Sequence, residues 1–258
     1  MATFRFAGRV FPVFNDFTMI GSVSTHWEDE IEPAVKLIMD ASVSINRGII
    51  EVVCESNLSR SDNYDGQVDW RAGRLARSVV NSYAFAKAIY LEAILETVVK
   101  PDGIKYNIQA RRPELEPLVT ALHVGSDGGV DIKPLLLLAL RDPTIFVALK
   151  DLVGSMDAHE TLVNCARAVE GIRESMTPAS DRKQAWQLMR DNLNVSQNFL
   201  EAITDHSKGP RHGDVSNVKF GAVHETIRRS WIVMNRFLEF KKRGDNKLPL
   251  LDFPLLDQ

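Results

Sequence analysis

Apolar positions recur with two different periods along this chain, and the change falls near residue 110. In the first third alternate positions are apolar: Val35, Leu37 and Met39 lead toward Val43 and Ile45, and Ile49 to Cys54 follows Asn46-Arg47-Gly48. Two period-2 runs separated by such a turn predict a β-hairpin. The opening MATFRFAGRVFPVF and the stretch Gly21 to Trp27 read as further strands, and SNLSRSDNYDGQ as a surface loop. Leu75, Val79, Tyr83 and Ala86 then recur at helical spacing. Beyond them, Tyr90 to Val99, Pro101-Asp102-Gly103 and Ile104 to Ile108 predict a second hairpin, with the helix continuing to about Leu95 as the alternative.

From Pro113 onward the period becomes helical. Ile145, Leu149, Leu152, Val153 and Met156 form one stripe, and Leu162, Ala166, Val169, Ile172 and Met176 form another. Thr177-Pro178 ends that helix, and Ser180 is a cap for the next, which carries Trp186, Met189 and Leu193. Asn194 with Gln197 resembles a capping box for a helix carrying Phe199 and Ile203, and Lys208-Gly209-Pro210 is expected to stop it. The last helix carries Val223, Ile227, Trp231, Met234 and Leu238 on one face, which leaves Arg228, Arg229 and Arg236 free to stay outside. The prediction is an α+β chain: a strand-rich domain with β-hairpins over residues 1–110, then an antiparallel helical bundle over residues 111–258.

Composition adds that 45% apolar residues in 258 are enough for a substantial core in one large or two smaller domains. With 31 basic and 34 acidic side chains the net charge is −3, which lacks the global basic excess of many nucleic-acid binders, so any polyanion site must be local. Charge is nevertheless uneven: residues 1–56 carry four Lys/Arg and eight Asp/Glu, whereas residues 205–243 carry nine and four. Cys54 and Cys165 lie in apolar stretches and read as buried free thiols in a reducing, cytoplasmic setting. The richest apolar run, Pro134 to Leu140, is far shorter than the roughly 20 residues a membrane span needs.

Candidate chemistry concentrates in Asp205-His206-Ser207-Lys208-Gly209-Pro210-Arg211-His212-Gly213-Asp214, two imidazoles, two cations and two carboxylates in a break between helices. Gly213 would let the backbone approach a ligand, Arg211 could hold a phosphate by two parallel hydrogen bonds, and His212 could move a proton near neutral pH. The competing account is an ordinary polar connection in which Asp205 or Asp214 caps a helix and His206 is solvated. Asn164, Arg167, Glu170 and Arg173 follow one another at three-residue spacing, as a solvated ion-pair ladder or as a flank of the same phosphate site. Glycine-rich phosphate loops, HExxH, paired CxxC and nucleophile elbows are absent from the sequence, and His206, His212, Asp205 and Asp214 have no recognised metal-ligand spacing. Neither a metal nor a cofactor is expected. His26, His123, His159 and His224, and the four tryptophans, read as packing or surface residues, with Trp70 beside Arg71 the most polar in setting.

A helical bundle with an Arg/His element just before its last long helix resembles the HEPN superfamily over roughly residues 140–243. That resemblance implies a homodimer of possible bacterial defence, abortive-infection or RNA-processing role, in which paired Arg and His cleave RNA without a metal. Carried onto this chain, Arg211 and His212 would be catalytic, with Asn164, Arg167, Glu170, His206, Lys208 and Asp214 binding RNA or a nucleotide. The family spaces its arginine four to six residues before its histidine, whereas Arg211 and His212 are adjacent. Members without the motif act as non-catalytic nucleotide- or protein-interaction modules, which is the alternative expectation.

Overall fold

Alternation in the strand segments on either side of one helix produces a single antiparallel sheet. The computed structural model describes residues 1–13, 17–32, 35–58, 65–108, 114–124, 129–157, 160–176, 181–212 and 220–257. It divides into two units, Met1–Gln109 and Ala110–Gln258.

The first unit contains β1 (Ala2–Phe11), β2 (Val23–Glu32), β3 (Val35–Asn46), β4 (Ile49–Ser56), helix α1 (Asp65–Lys87), β5 (Glu92–Val99) and β6 (Lys105–Asn107). They form a six-stranded sheet in the order β2-β3-β4-β1-β5-β6, antiparallel throughout. The β3–β4 hairpin forms because Arg47 (φ 50°) and Gly48 (φ 75°) both take the left-handed conformation that a two-residue turn of matching twist requires. One face of the sheet is apolar, with Phe4, Phe6, Leu37, Met39, Val43, Ile50, Val52 and Cys54 all buried, and α1 covers it. Val68, Ala72, Ala76 and Val80 make the inner stripe of α1, and the two alanines let the helix axis lie close to the strands. The stripe is therefore rotated from the Leu75-to-Ala86 series toward smaller residues. Helix α1 ends at Lys87, and Ala88 at φ 51° turns the chain out, so Glu92–Val99 is strand and not helix.

At the β1–β5 pairing the register shifts between Ala7 and Gly8. A Cβ on Gly8 would lie 2.0 Å from the Ile94 carbonyl oxygen, so the close approach of these two backbones needs glycine there. Strand β2 forms one edge of the sheet and carries Glu28, Asp29 and Glu30 in succession. Asp29 Oδ2 accepts from the buried Arg71 of α1 at 2.6 Å, tying that edge to the helix.

The second unit is helical, with a two-residue ladder of β7 (His123–Val124) and β8 (Gly129–Val130) that helical periodicity does not announce. Its helices are α2 (Lys133–Arg141), α3 (Pro143–Gly154), α4 (Thr161–Met176), α5 (Arg182–Leu193), α6 (Gln197–Thr204), α7 (Lys208–Arg211) and α8 (Phe220–Lys242). Asp142 caps α3 by accepting from the Thr144 N–H, Asp181 caps α5, and Ser196 caps α6 through the Phe199 N–H. Asn194 is thus not part of a capping box: at φ 52° it closes α5, and its side chain donates to the carbonyls of Leu248 and Phe253. The proposed cap Ser180 lies outside the described residues.

Helices α4 and α8 occupy the core. Cys165, Ala166, Ala168, Val169 and Ile172 are all fully buried on α4, and residues 233–238 of α8 are buried in unbroken succession. An uninterrupted buried run means the C-terminal part of α8 is surrounded on all sides, so Arg236 is enclosed instead of lying outside an apolar stripe. It donates to the carbonyl oxygens of Leu193, Asn194 and Pro254 at 2.8, 2.8 and 2.7 Å. Leu193 and Asn194 end α5, where the helix dipole favours a cation, and burial pushes the Arg236 pKa down to about 10. The chain after Gly244 runs over this arginine and pairs at Leu256 with Val195.

No described helix is long and apolar enough to cross a membrane.

Candidate functional site

Asn164, Arg167, Glu170 and Arg173 do share helix α4, but each is drawn to a different neighbour. The buried Asn164 donates to Glu160 Oε2 at 3.0 Å. Arg167, half exposed, turns to α3, where its Nε lies 3.2 Å from Oδ2 of the buried Asp151. Burial raises the Asp151 pKa, Arg167 and Lys150 oppose the rise, and Glu160 adds to it. Arg173 pairs with Glu174 at 2.8 Å and lies over the Trp186 ring. The four side chains therefore do not form a ladder along one surface: Arg167 works as a tie between α3 and α4.

Glu170 is where α4 meets the Arg/His segment. Its Oε1 lies 3.1 Å from Arg211 Nη1 and 3.6 Å from Arg182 Nη2, so two arginines from separate elements converge on one carboxylate. The segment itself is not an open break. Asp205–Ser207 forms a 3-10 turn that runs directly into α7, with Pro210 near its start, where a missing N–H costs nothing. Lys208 pairs with Asp205 at 2.9 Å, and that hydrogen bond and charge raise the Lys208 pKa. His206 and His212 are exposed, and the His212 N–H closes the turn on the Gly209 carbonyl. Gly213 and Asp214 lie outside the described residues, as does His159. The structure thus brings Arg211 to Glu170, one helical turn from Arg167, and leaves Asn164 and Arg167 engaged with Glu160 and Asp151.

Other chemistry-bearing groups are accounted for by packing. Cys54 is free and buried, and its thiol is pushed up to about 12 by burial and by Asp69; burial raises Cys165 as well, so neither is an activated nucleophile. Among the described residues no group of three His, Cys, Asp or Glu side chains is arranged to hold a metal ion. On the open face of the sheet His26 Nδ1 lies 2.8 Å from Asp40 Oδ1, at a shallow trough shared with Ser24, Ser42 and Glu55.

Periodicity did not single out the cleft between α2 and the end of α8. It encloses about 220 Å³ and is lined by Ala121, Leu122, Pro134, Leu137, Leu138 and Leu238, with Arg141, Lys241 and Lys242 around it. Asn235 of α8 fixes its floor, accepting from the Ala121 N–H at 2.9 Å and donating to Thr120 Oγ1 at 3.0 Å. Lys242 donates to the Ala121 carbonyl. Helix α2 has no buried residue, and Leu136, Leu137 and Leu140 are 51%, 41% and 74% exposed. The sequence signal was the run of four leucines in KPLLLLALR, too many for one buried stripe.

Residues 132–242, less than half of the chain, match the model of a family described as a domain of unknown function, the DUF8168 C-terminal domain. No curated protein and no solved structure matches the chain.

Proposed function

We propose that this protein is a non-catalytic interaction module whose helical unit receives a protein partner on α2 and the neighbouring end of α8. The observation that carries this reading is the exposure of α2. Three leucines left partly in water each forgo a corresponding share of the roughly 1.5–3 kcal/mol that full burial contributes, an arrangement more typical of a binding surface than of a finished core. Most of the residues around the adjoining cleft fall within the family-matched segment.

A metal-independent ribonuclease is the competing reading, and it fits the electrostatics less well. Arg211 already faces Glu170, so a phosphate arriving there would have to compete with that carboxylate for the guanidinium. Catalysis would require Arg211 to exchange Glu170 for substrate, with His212 working from an exposed position.

Tagged full-length protein expressed in its native host tests both readings. A stoichiometric partner whose cross-links map to α2, and which is lost from the Leu136→Glu/Leu140→Glu variant, is the expected result. Cleavage of mixed RNA in EDTA that disappears in His212→Ala, with an unchanged melting temperature, would overturn it; a general acid or base is worth about 10²- to 10⁴-fold.

A further inference from the structure

The α2–α8 cleft carries a chemical preference in addition to its apolar lining. It encloses about 220 Å³, below the roughly 300–1,000 Å³ of small-molecule pockets. That is space for the large apolar side chain of a docked polypeptide. Leu137 and Leu138 form one wall and Leu238 another.

Three cations surround this small apolar space. Arg141 follows Leu137 by one helical turn and has no partner among the described residues. Lys242 bonds a carbonyl oxygen, which leaves its charge without a carboxylate among the described residues. Lys241 shares its charge with Asp245 at 3.0 Å. Cations at the ends of α2 and α8 suit the helix dipoles, yet the dipoles give no reason for exposed leucines beside them. Apolar anchor positions flanked by positive charge are the complement of an amphipathic helix whose own apolar stripe is flanked by Glu or Asp.

Resting on the interaction reading above, we infer that the cleft takes an acidic amphipathic helix from another protein, one large apolar side chain entering between Leu137 and Leu238 and its carboxylates meeting Arg141 and Lys242. A second copy of this chain fits the same surface poorly. Bringing Leu137 against Leu137 would set Arg141 of one copy opposite Lys133 of the other in an antiparallel packing of the two helices, or opposite Arg141 in a parallel one, and like charges at an interface are unfavourable.

The test is fluorescence anisotropy of full-length protein with a labelled 16-residue helix of leucine, alanine and glutamate, leucines at positions i, i+4 and i+7. The control replaces each glutamate with lysine. The glutamate peptide should bind about tenfold or more tighter than the lysine peptide, and its affinity should fall with salt. Arg141→Glu should weaken it about three- to tenfold and Leu137→Ser about tenfold, both with unchanged melting temperature because both side chains are exposed. Equal binding of the two peptides, or indifference to both substitutions, would overturn the inference. So would binding of anionic phospholipid vesicles but not the peptide, or a dimer in light scattering that Leu137→Ser dissociates. Loss of the host partner on substituting the α2 leucines, without any preference for the acidic peptide, would leave the interaction reading standing and remove this one alone.

Discussion

Replacing Arg236 by methionine removes one guanidinium and keeps most of the stem, so it isolates what the hydrogen bonds contribute. Three carbonyl oxygens lose a donor: Leu193, Asn194 and Pro254. The Asn194 oxygen retains the Leu256 N–H at 3.0 Å, which leaves Leu193 and Pro254 as the acceptors stripped of this donor. The buried Leu193 oxygen left unpaired costs about 1–3 kcal/mol, the exposed Pro254 can turn its oxygen to water, and loss of the cation over the Phe253 ring adds about 0.5 kcal/mol. Removing a desolvated charge returns part of that cost. A net loss of about 1–3 kcal/mol is expected, read as a fall in the urea midpoint at constant slope. Trypsin should also cut after Lys247 more readily, because the same carbonyls hold the C-terminal segment down. Arg236→Lys should rescue little, since one ammonium cannot span three acceptors held by a planar fork. A loss below about 1 kcal/mol, or full rescue by lysine, would refute the account.

Two further outcomes follow from the packing. Gly8→Ala places a Cβ 2.0 Å from the Ile94 oxygen and 2.7 Å from the Leu95 Cα, both backbone atoms, so a loss of about 1–3 kcal/mol in urea unfolding is expected; unchanged stability would mean that the β1–β5 bulge is not locked by this approach. For Asp151 the folded-state pKa is raised, so the folded state holds its proton longer than the unfolded chain, and stability falls as pH rises from the unfolded value through the folded one. Asp151→Asn should remove that fall, whereas Arg167→Ala should deepen it by leaving the buried carboxylate alone; parallel curves of midpoint against pH for all three proteins would sink the idea.

Fold class and the first hairpins were legible because alternation and turn chemistry act locally: Asn46-Arg47-Gly48 needs no distant partner to make its turn. Helix ends were less legible. Asn194 has the composition of a cap for α6, but its carbonyl partners Leu248 and Phe253 lie more than fifty residues away, and they hold it at the end of α5 instead. Arg236 shows the same limit. Its place beside Met234 and Leu238 suggested a solvated flank, and only the tail crossing over it turns that flank into core. At the candidate site the grouping of charges along α4 was visible in the residues, but the choice of partners was not. Spacing put Arg167 beside Glu170, while tertiary packing gave Arg167 to Asp151 and Glu170 to Arg211.

The two borders of the sheet face different risks. Strand β6 has three residues and offers little backbone to a stranger, whereas β2 offers ten, with a row of amides and carbonyls on its outer side. Such a border is a template on which molecules can stack. Two β2 strands meeting antiparallel about Asp29 would set Glu28 of one opposite Glu30 of the other and Asp29 opposite Asp29, and like charges directly opposite are unfavourable. Electrostatic repulsion therefore works against stacking on this border, tempered by Lys36 beside Glu28 and Arg71 beside Asp29, and repulsion of that kind fades once the screening length drops to about 3 Å in molar salt. Colloidal stability of the protein is thus tied to ionic strength through one strand.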